Sequence, residues 1–200
     1  MFREFLARLT GRTGGDTPPA SRPESHEVNG FRVEVVNERP DIRTADALDR
    51  LTRAFELIGR YAPERLAGLR EDVREIWVRR FPCRAAFYPD HRACLVELTF
   101  LVNPRHTAAE VASSIIHEGV HARVAAGRGD SPASKAEEER LCREAELAFG
   151  LALGEEPGAD VVLERARQSL LLADQEVAPD IDWQLAARRV AEADDRARPG

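Results

Sequence analysis

Two histidines and a glutamate fall within five consecutive residues, His117-Glu118-Gly119-Val120-His121, inside a stretch that is otherwise largely apolar. On an α-helix, positions i and i+4 stack one turn apart on the same face, so both imidazoles can reach one cation. The glutamate beside the first histidine then approaches a water on that cation and is placed to act as a general base. This constrains the fold, because a polar group buried without a partner costs roughly 2–7 kcal/mol. A chain that buries this helix must bring a further ligand to it from elsewhere.

The helix itself is well marked. Asn103-Pro104 breaks the preceding apolar run, Thr107-Ala108-Ala109-Glu110 has the form of a capping box, and Gly127 and Gly129 supply a stop. These signals predict a helix from about residue 107 to 126. Ala108, Val111, Ala112, Ile115, Ile116, Gly119 and Ala122 share its apolar face, while Glu110, His117 and His121 form a polar stripe flanked by Val120 and Val124. The pattern H-E-x-x-H on such a helix is the zinc-binding signature of metallopeptidases.

A third ligand is expected on the next helix. Ser131-Pro132 reads as an N-cap followed by proline at the first helical position, opening a helix to about Leu153 that carries Glu137, Glu138, Glu139, Glu144 and Glu146. Packed antiparallel to the first, it completes a His-His-Glu site with one position open to water. Helical phase leaves two candidates. Glu138 lines up with Leu141, Cys142, Ala145 and Phe149, a seam that otherwise reads as core, whereas Glu139 lines up with Arg143, Glu146 and Gly150. Glu137 and Glu144 read as solvated.

The segment from Ile115 to Arg123, followed by Glu139-Arg140-Leu141-Cys142 and Glu146-Leu147-Ala148-Phe149, resembles the gluzincin type of metallopeptidase. The closer resemblance is to a family of small uncharacterised bacterial zincin-like proteins, over roughly residues 28 to 150. It implies an α+β fold with a minimal zincin-like core: a small sheet packed on the H-E-x-x-H helix and on a second, ligand-bearing helix. It implies Zn²⁺ held by His117, His121 and Glu139, the glutamate three residues before a cysteine. The implied activity is peptide-bond hydrolysis by a zinc-activated water, with Glu118 as the base. One departure is Arg143, where larger gluzincins often carry an acid that orients a histidine; Glu146 is the available substitute.

Composition narrows the class. At 200 residues and 43% hydrophobic, the chain can bury one good core. A net charge of −6 argues against nucleic acid as a partner. Lys135 is the only lysine, which reads as a compositional bias toward arginine. Cys83, Cys94 and Cys142 are odd in number and lack C-x-x-C spacing, so a reduced, cytoplasmic chain is expected. A hairpin turning at Pro89-Asp90 would place Cys83 near Val96 or Glu97, not near Cys94. No segment has the length of a membrane span, and the N-terminus lacks the apolar region of a secretory signal. Phe2, Phe5, Leu6 and Leu9 have helical spacing and could touch a membrane or a partner, but a short helix on its own domain is the plainer reading.

Three regions are expected: 1–27, a short helix and a flexible linker from Gly11 to Glu27 with His26 solvated; 28–154, the metal-binding domain; and 155–200, a helical extension packed on it. Within the second, strands are predicted at Phe31–Val36, Glu75–Phe81 and Ala93–Val102, with Ala85–Tyr88 extending the second into a hairpin. An amphipathic helix capped by Thr44 runs to Arg60, and Glu64–Asp72 is a shorter helix or turn. Leu95–Val102 is either the sheet edge to which a substrate backbone adds as a strand or a central strand. Helices at about 160–174 and 183–194 either pack on the core or cover the site, and Pro179 to Asp182 reads as a helix-start loop. Tyr61, Tyr88, His91 and His106 are available to stabilise an oxyanion. The rival reading is a zinc-containing binding or regulatory protein with little peptidase activity, or a structural zinc joining two helices. A base beside the first ligand favours the enzyme.

Overall fold

The computed structural model describes residues 22–178 and 182–197. The expectation for Met1 to Leu9 lies outside them, as does most of the Pro179 to Asp182 loop. The fold is α+β, with a mixed sheet of five strands and eight α-helices among the described residues. The strands are β1 (Glu24–Val28), β2 (Phe31–Val35), β3 (Glu75–Arg79), β4 (Ala85–Tyr88) and β5 (Ala93–Glu97), ordered β1-β2-β3-β5-β4. The helices are α1 (Thr44–Tyr61), α2 (Pro63–Asp72), α3 (Leu98–Val102), α4 (Ala108–Ala125), α5 (Lys135–Leu153), α6 (Ala159–Leu170), α7 (Asp174–Val177) and α8 (Trp183–Ala197). None is long and apolar enough to cross a membrane.

The interior strands β3 and β5 run parallel to each other, and β3 runs parallel to β2. A parallel strand is covered on both faces, and β5 is buried at every position. Period-two alternation sorts the residues of the sheet. Val33, Val35, Ile76, Val78, Cys94 and Val96 join α1, α2, α4 and α5 in the main core, while Trp77, Phe81, Tyr88, Ala93 and Leu95 form a smaller cluster on the other face. The edge strands β1 and β4 are the antiparallel ones.

Several boundaries depart from the sequence reading. β1 begins at Glu24, so the sheet takes in the end of the stretch expected to be linker, and His26 lies 3.3 Å from Glu24. The predicted strand Ala93–Val102 stops at Glu97, whose carboxylate accepts from the Phe100 amide at 2.7 Å and the Thr99 hydroxyl at 2.6 Å and so caps the single turn of α3. Glu97 is buried and paired with Arg80, which also binds Asp194 of α8 at 3.0 Å. The chain therefore turns away from the sheet where an apolar run suggested it would continue. β5 is central, and β4 is the edge beside the H-E-x-x-H helix, which settles the two readings of Leu95–Val102 against an edge strand. Helix α1 starts with no side-chain cap from Thr44, because Arg43 holds the cap position. Helix α5 starts at Lys135 and not after Ser131: the Ser134 hydroxyl accepts from the Glu137 amide at 3.1 Å, and Glu137 reaches back to the Ala133 amide at 2.6 Å.

Helix α4 lies at the centre. Its capping box forms as predicted, with the Thr107 side chain on the Glu110 amide and the Glu110 carboxylate on the Thr107 amide. Most of its length is buried, and α1, α2, α5, α6 and the strands β4 and β5 all pack on it. Gly119, a variable position of the motif, makes this possible: a Cβ there would lie 2.7 Å from Leu69 Cδ2 of α2. The tail packs on this core, with Val162 and Ala166 of α6 fully buried beside α5.

Candidate metal centre

His117 and His121 project from one face of α4 toward α5, and their Nε2 atoms are 3.2 Å apart. The Glu139 carboxylate of α5 faces both, 3.4 Å from His117 Nε2 and 3.6 Å from His121 Nε2. Glu138, its neighbour in sequence, turns to the opposite side of the His121 ring and meets Nδ1 at 2.6 Å. Glu146, two turns further on, lies 3.5 Å from His117 Nδ1. Two glutamates left open by helical phase thus take different places: Glu139 at the paired Nε2 atoms, Glu138 behind one ring.

The two nitrogens of each ring face different groups. His121 Nδ1 meets Glu138 at 2.6 Å and His117 Nδ1 faces Glu146 at 3.5 Å, which leaves both Nε2 atoms turned toward each other and toward Glu139. Two imidazole nitrogens and a carboxylate converge there, and a positive charge, whether a proton or a metal ion, satisfies them. A tetrahedral shell with metal–ligand bonds near 2.0–2.1 Å has donor-to-donor edges of about 3.3–3.4 Å. The observed separations of 3.2, 3.4 and 3.6 Å match that size. The donor set therefore fits Zn²⁺, and Glu138 and Glu146 fit the outer carboxylates that orient metal-bound histidines.

The electrostatics agree. Burial pulls the His117 imidazole down, but its contacts with Glu139 and Glu146 and the charge of Glu118 outweigh that and hold it at about 9. In the metal-free chain a proton supplies the charge that the carboxylates demand. Burial raises Glu139, yet His117, His121 and Arg143 bring it below the usual carboxylate range. Glu146 is held down at about 2 against its own burial, by His117 and then by Arg143 and Arg165. Arg143 binds Glu146 at 2.9 Å, and Arg165 of α6 lies 3.8 Å from it while its guanidinium also bonds Ser113 of α4 at 3.2 Å. The departure noted at Arg143 is thereby explained: the arginine fixes Glu146, and Glu146 faces the histidine.

Glu118 is 7% exposed and makes no hydrogen bond or ion pair with a described residue. Burial pushes it above the ordinary carboxylate range, with the charges of His117 and His121 opposing. A thiol completes the cluster. Cys142 is fully buried, its Sγ lies 3.6 Å from His121 Nε2, and His117, His121 and Cys142 offer donor atoms all within 4.8 Å of one another. Burial, and then the charges of Glu139, Glu118, Glu138 and Glu146, keep this thiol protonated far above its usual range. Glu139 is thus the ionised donor beside the pair and Cys142 a neutral one. The sequence reading placed Cys142 only in the core seam.

The four oxyanion candidates are engaged elsewhere. Tyr61 donates to Glu156 at 2.6 Å, His106 bonds Glu110 at 2.9 Å, and His91 packs on Trp77. Tyr88 packs between Trp77 and Phe81, although the charge of Glu118 contributes, after burial and Cys83, to raising its phenol. A cavity of about 250 Å³ lies on the face of α4 opposite the histidines, with Leu69, Asp72, Ile116, Gly119 and Arg123 in its lining. Comparison with protein-family models, with curated proteins and with solved structures gave no significant match to this chain.

Proposed function

We propose that this chain is a zinc-dependent metallopeptidase of the gluzincin type, in which His117, His121 and Glu139 hold Zn²⁺ and Glu118 is the general base. The observation that carries the reading is the convergence of two Nε2 atoms and one carboxylate at the spacing of a zinc shell. Zn²⁺ in such a site lowers the pKa of a coordinated water to about 7 and polarises a carbonyl. The chain's own groups do the rest. Glu138 and Glu146 keep both rings turned with Nε2 inward, and the arginines around Glu146 keep that carboxylate ionised. Glu118 accepts a proton from the attacking water and returns it to the leaving amine.

The substrate is a peptide or protein. Strand β4 ends the sheet beside α4, and a peptide in extended form adds to such an edge through main-chain hydrogen bonds. Cys83, Cys94 and Cys142 are free thiols, in keeping with a reducing, cytoplasmic setting. A second reading, a zinc-containing binding or regulatory protein with little turnover, is favoured by one observation, the Cys142 thiol beside the same histidines.

Glu118→Gln separates them. It removes the base while keeping size, so zinc content and fold are retained, and hydrolysis of a peptide library falls by roughly 10²-fold to 10⁴-fold relative to wild type. Cleavage by the zinc-loaded protein that Glu118→Gln does not slow overturns the enzyme mechanism. Cleavage no greater than that of a chelated control, by zinc-loaded wild type and by zinc-loaded Cys142→Ser alike, supports the binding reading.

A further inference from the structure

Cys142 follows Glu139 by three residues on α5, so the two side chains leave the helix on neighbouring lines of one face. Glu139 is partly exposed, whereas Cys142 is 0% exposed and approaches the histidine pair from inside the protein. A buried cysteine needs no function, as Cys94 illustrates: it sits in β5 among apolar core residues. Cys142 differs in its neighbours. Its sulfur meets the Nε2 atom of His121, on the side of the ring that faces His117 and Glu139.

A zinc–sulfur bond near 2.3 Å and a zinc–nitrogen bond near 2.05 Å, at the tetrahedral angle, put the two donors about 3.6 Å apart. The separation of Cys142 Sγ and His121 Nε2 is 3.6 Å. His117, His121 and Cys142 thus bring three donor atoms within 4.8 Å of one another, and the Glu139 carboxylate lies 3.4 and 3.6 Å from the two histidine nitrogens. A tetrahedral metal held by all four would have no position left for water or substrate.

We propose that Cys142 is the fourth donor of the resting centre, closing it with a thiolate from the interior side and holding the site latent until that bond is released. The inference rests on the metal site assigned above and concerns its regulation. When the metal enters, the S–H bond of Cys142 breaks, its proton passes to solvent, and a sulfur–metal bond forms; no electrons are transferred. A sulfur donor also tilts the site toward thiophilic cations such as zinc and away from magnesium or calcium, which take oxygen ligands.

The test is cobalt(II) added to the metal-free, full-length chain. Cobalt in a four-coordinate site gives visible ligand-field bands, and a thiolate ligand adds a sulfur-to-cobalt charge-transfer band in the near ultraviolet. Both are expected in the wild type. Cys142→Ser should lose the charge-transfer band and keep the visible bands, while Cys83→Ser and Cys94→Ser keep both. Zinc affinity of Cys142→Ser, from competition with a chromophoric chelator, should fall by more than the roughly 10- to 100-fold that an outer partner costs. Visible bands without charge transfer in the wild type overturn the thiolate and leave the His-His-Glu site standing. Absence of all cobalt bands overturns both. The wild-type spectrum decides this even if the Cys142 variant does not fold.

Discussion

Exchanging one carboxylate for an amide at Glu139 or at Glu138 tests how the site is built. The two residues are adjacent on α5, both partly exposed, and both within 4 Å of His121. They differ in which nitrogen they face. Structural zinc sites bind with about 10–16 kcal/mol over four ligands, or roughly 2.5–4 kcal/mol each, so losing one weakens binding by roughly 10²- to 10³-fold. Glu139→Gln should show this loss, since its carboxylate faces both Nε2 atoms. Glu138→Gln keeps all the donors and removes only the acceptor behind His121 Nδ1, a change that costs roughly 10- to 100-fold. The assay titrates metal-free protein with zinc against a competing chelator, with circular dichroism as the control for folding. A larger loss in Glu138→Gln than in Glu139→Gln refutes the ligand assignment. Unchanged affinity in both refutes a metal at this site.

Two further outcomes follow from the same geometry. Gly119→Ala puts a methyl group 2.7 Å from Leu69, so the variant should lose about 1–3 kcal/mol in denaturant unfolding, and the double variant with Leu69→Ala should lose less than the sum of the two single losses; strict additivity would show that the close approach of α2 and α4 is not what Gly119 provides. For pH, His117 of the metal-free chain is raised from 6.5 to about 9, so its stabilisation is complete below about 6.5 and disappears as pH rises through 9. Glu146, lowered to about 2, contributes above its unfolded value near 4.5 and is lost only in acid. The melting temperature of chelated protein should therefore fall between pH 6.5 and 9, and the increase given by zinc, which displaces the His117 proton, should grow over the same window. A zinc increment that is constant from pH 6.5 to 9 counts against a protonated His117.

Much of the centre was legible from local chemistry. The capping box of Thr107 and Glu110, the glycines after α4 and the spacing of His117 and His121 all act within a few residues, so the helix and its polar stripe follow from the chain itself. The α+β order of elements follows likewise from runs of period two and period 3.6. Glu139 could not be told from Glu138 by pattern, because one residue is a 100° turn of a helix and the rotation of α5 against α4 is set by packing. Cys142 belongs to the apolar seam of α5 and Glu146 to its polar side, yet both reach the histidines, since the site sits on the boundary between the two faces. The sheet edge was equally invisible. Strand order depends on pairings between distant segments, and the end of β5 depends on Arg80 binding Glu97, a contact that exists only once the chain has folded. Local sequence determined which residues share a helix face; tertiary packing decided which atoms meet there, because neighbours such as Glu138 and Glu139 are told apart only by how whole helices are placed.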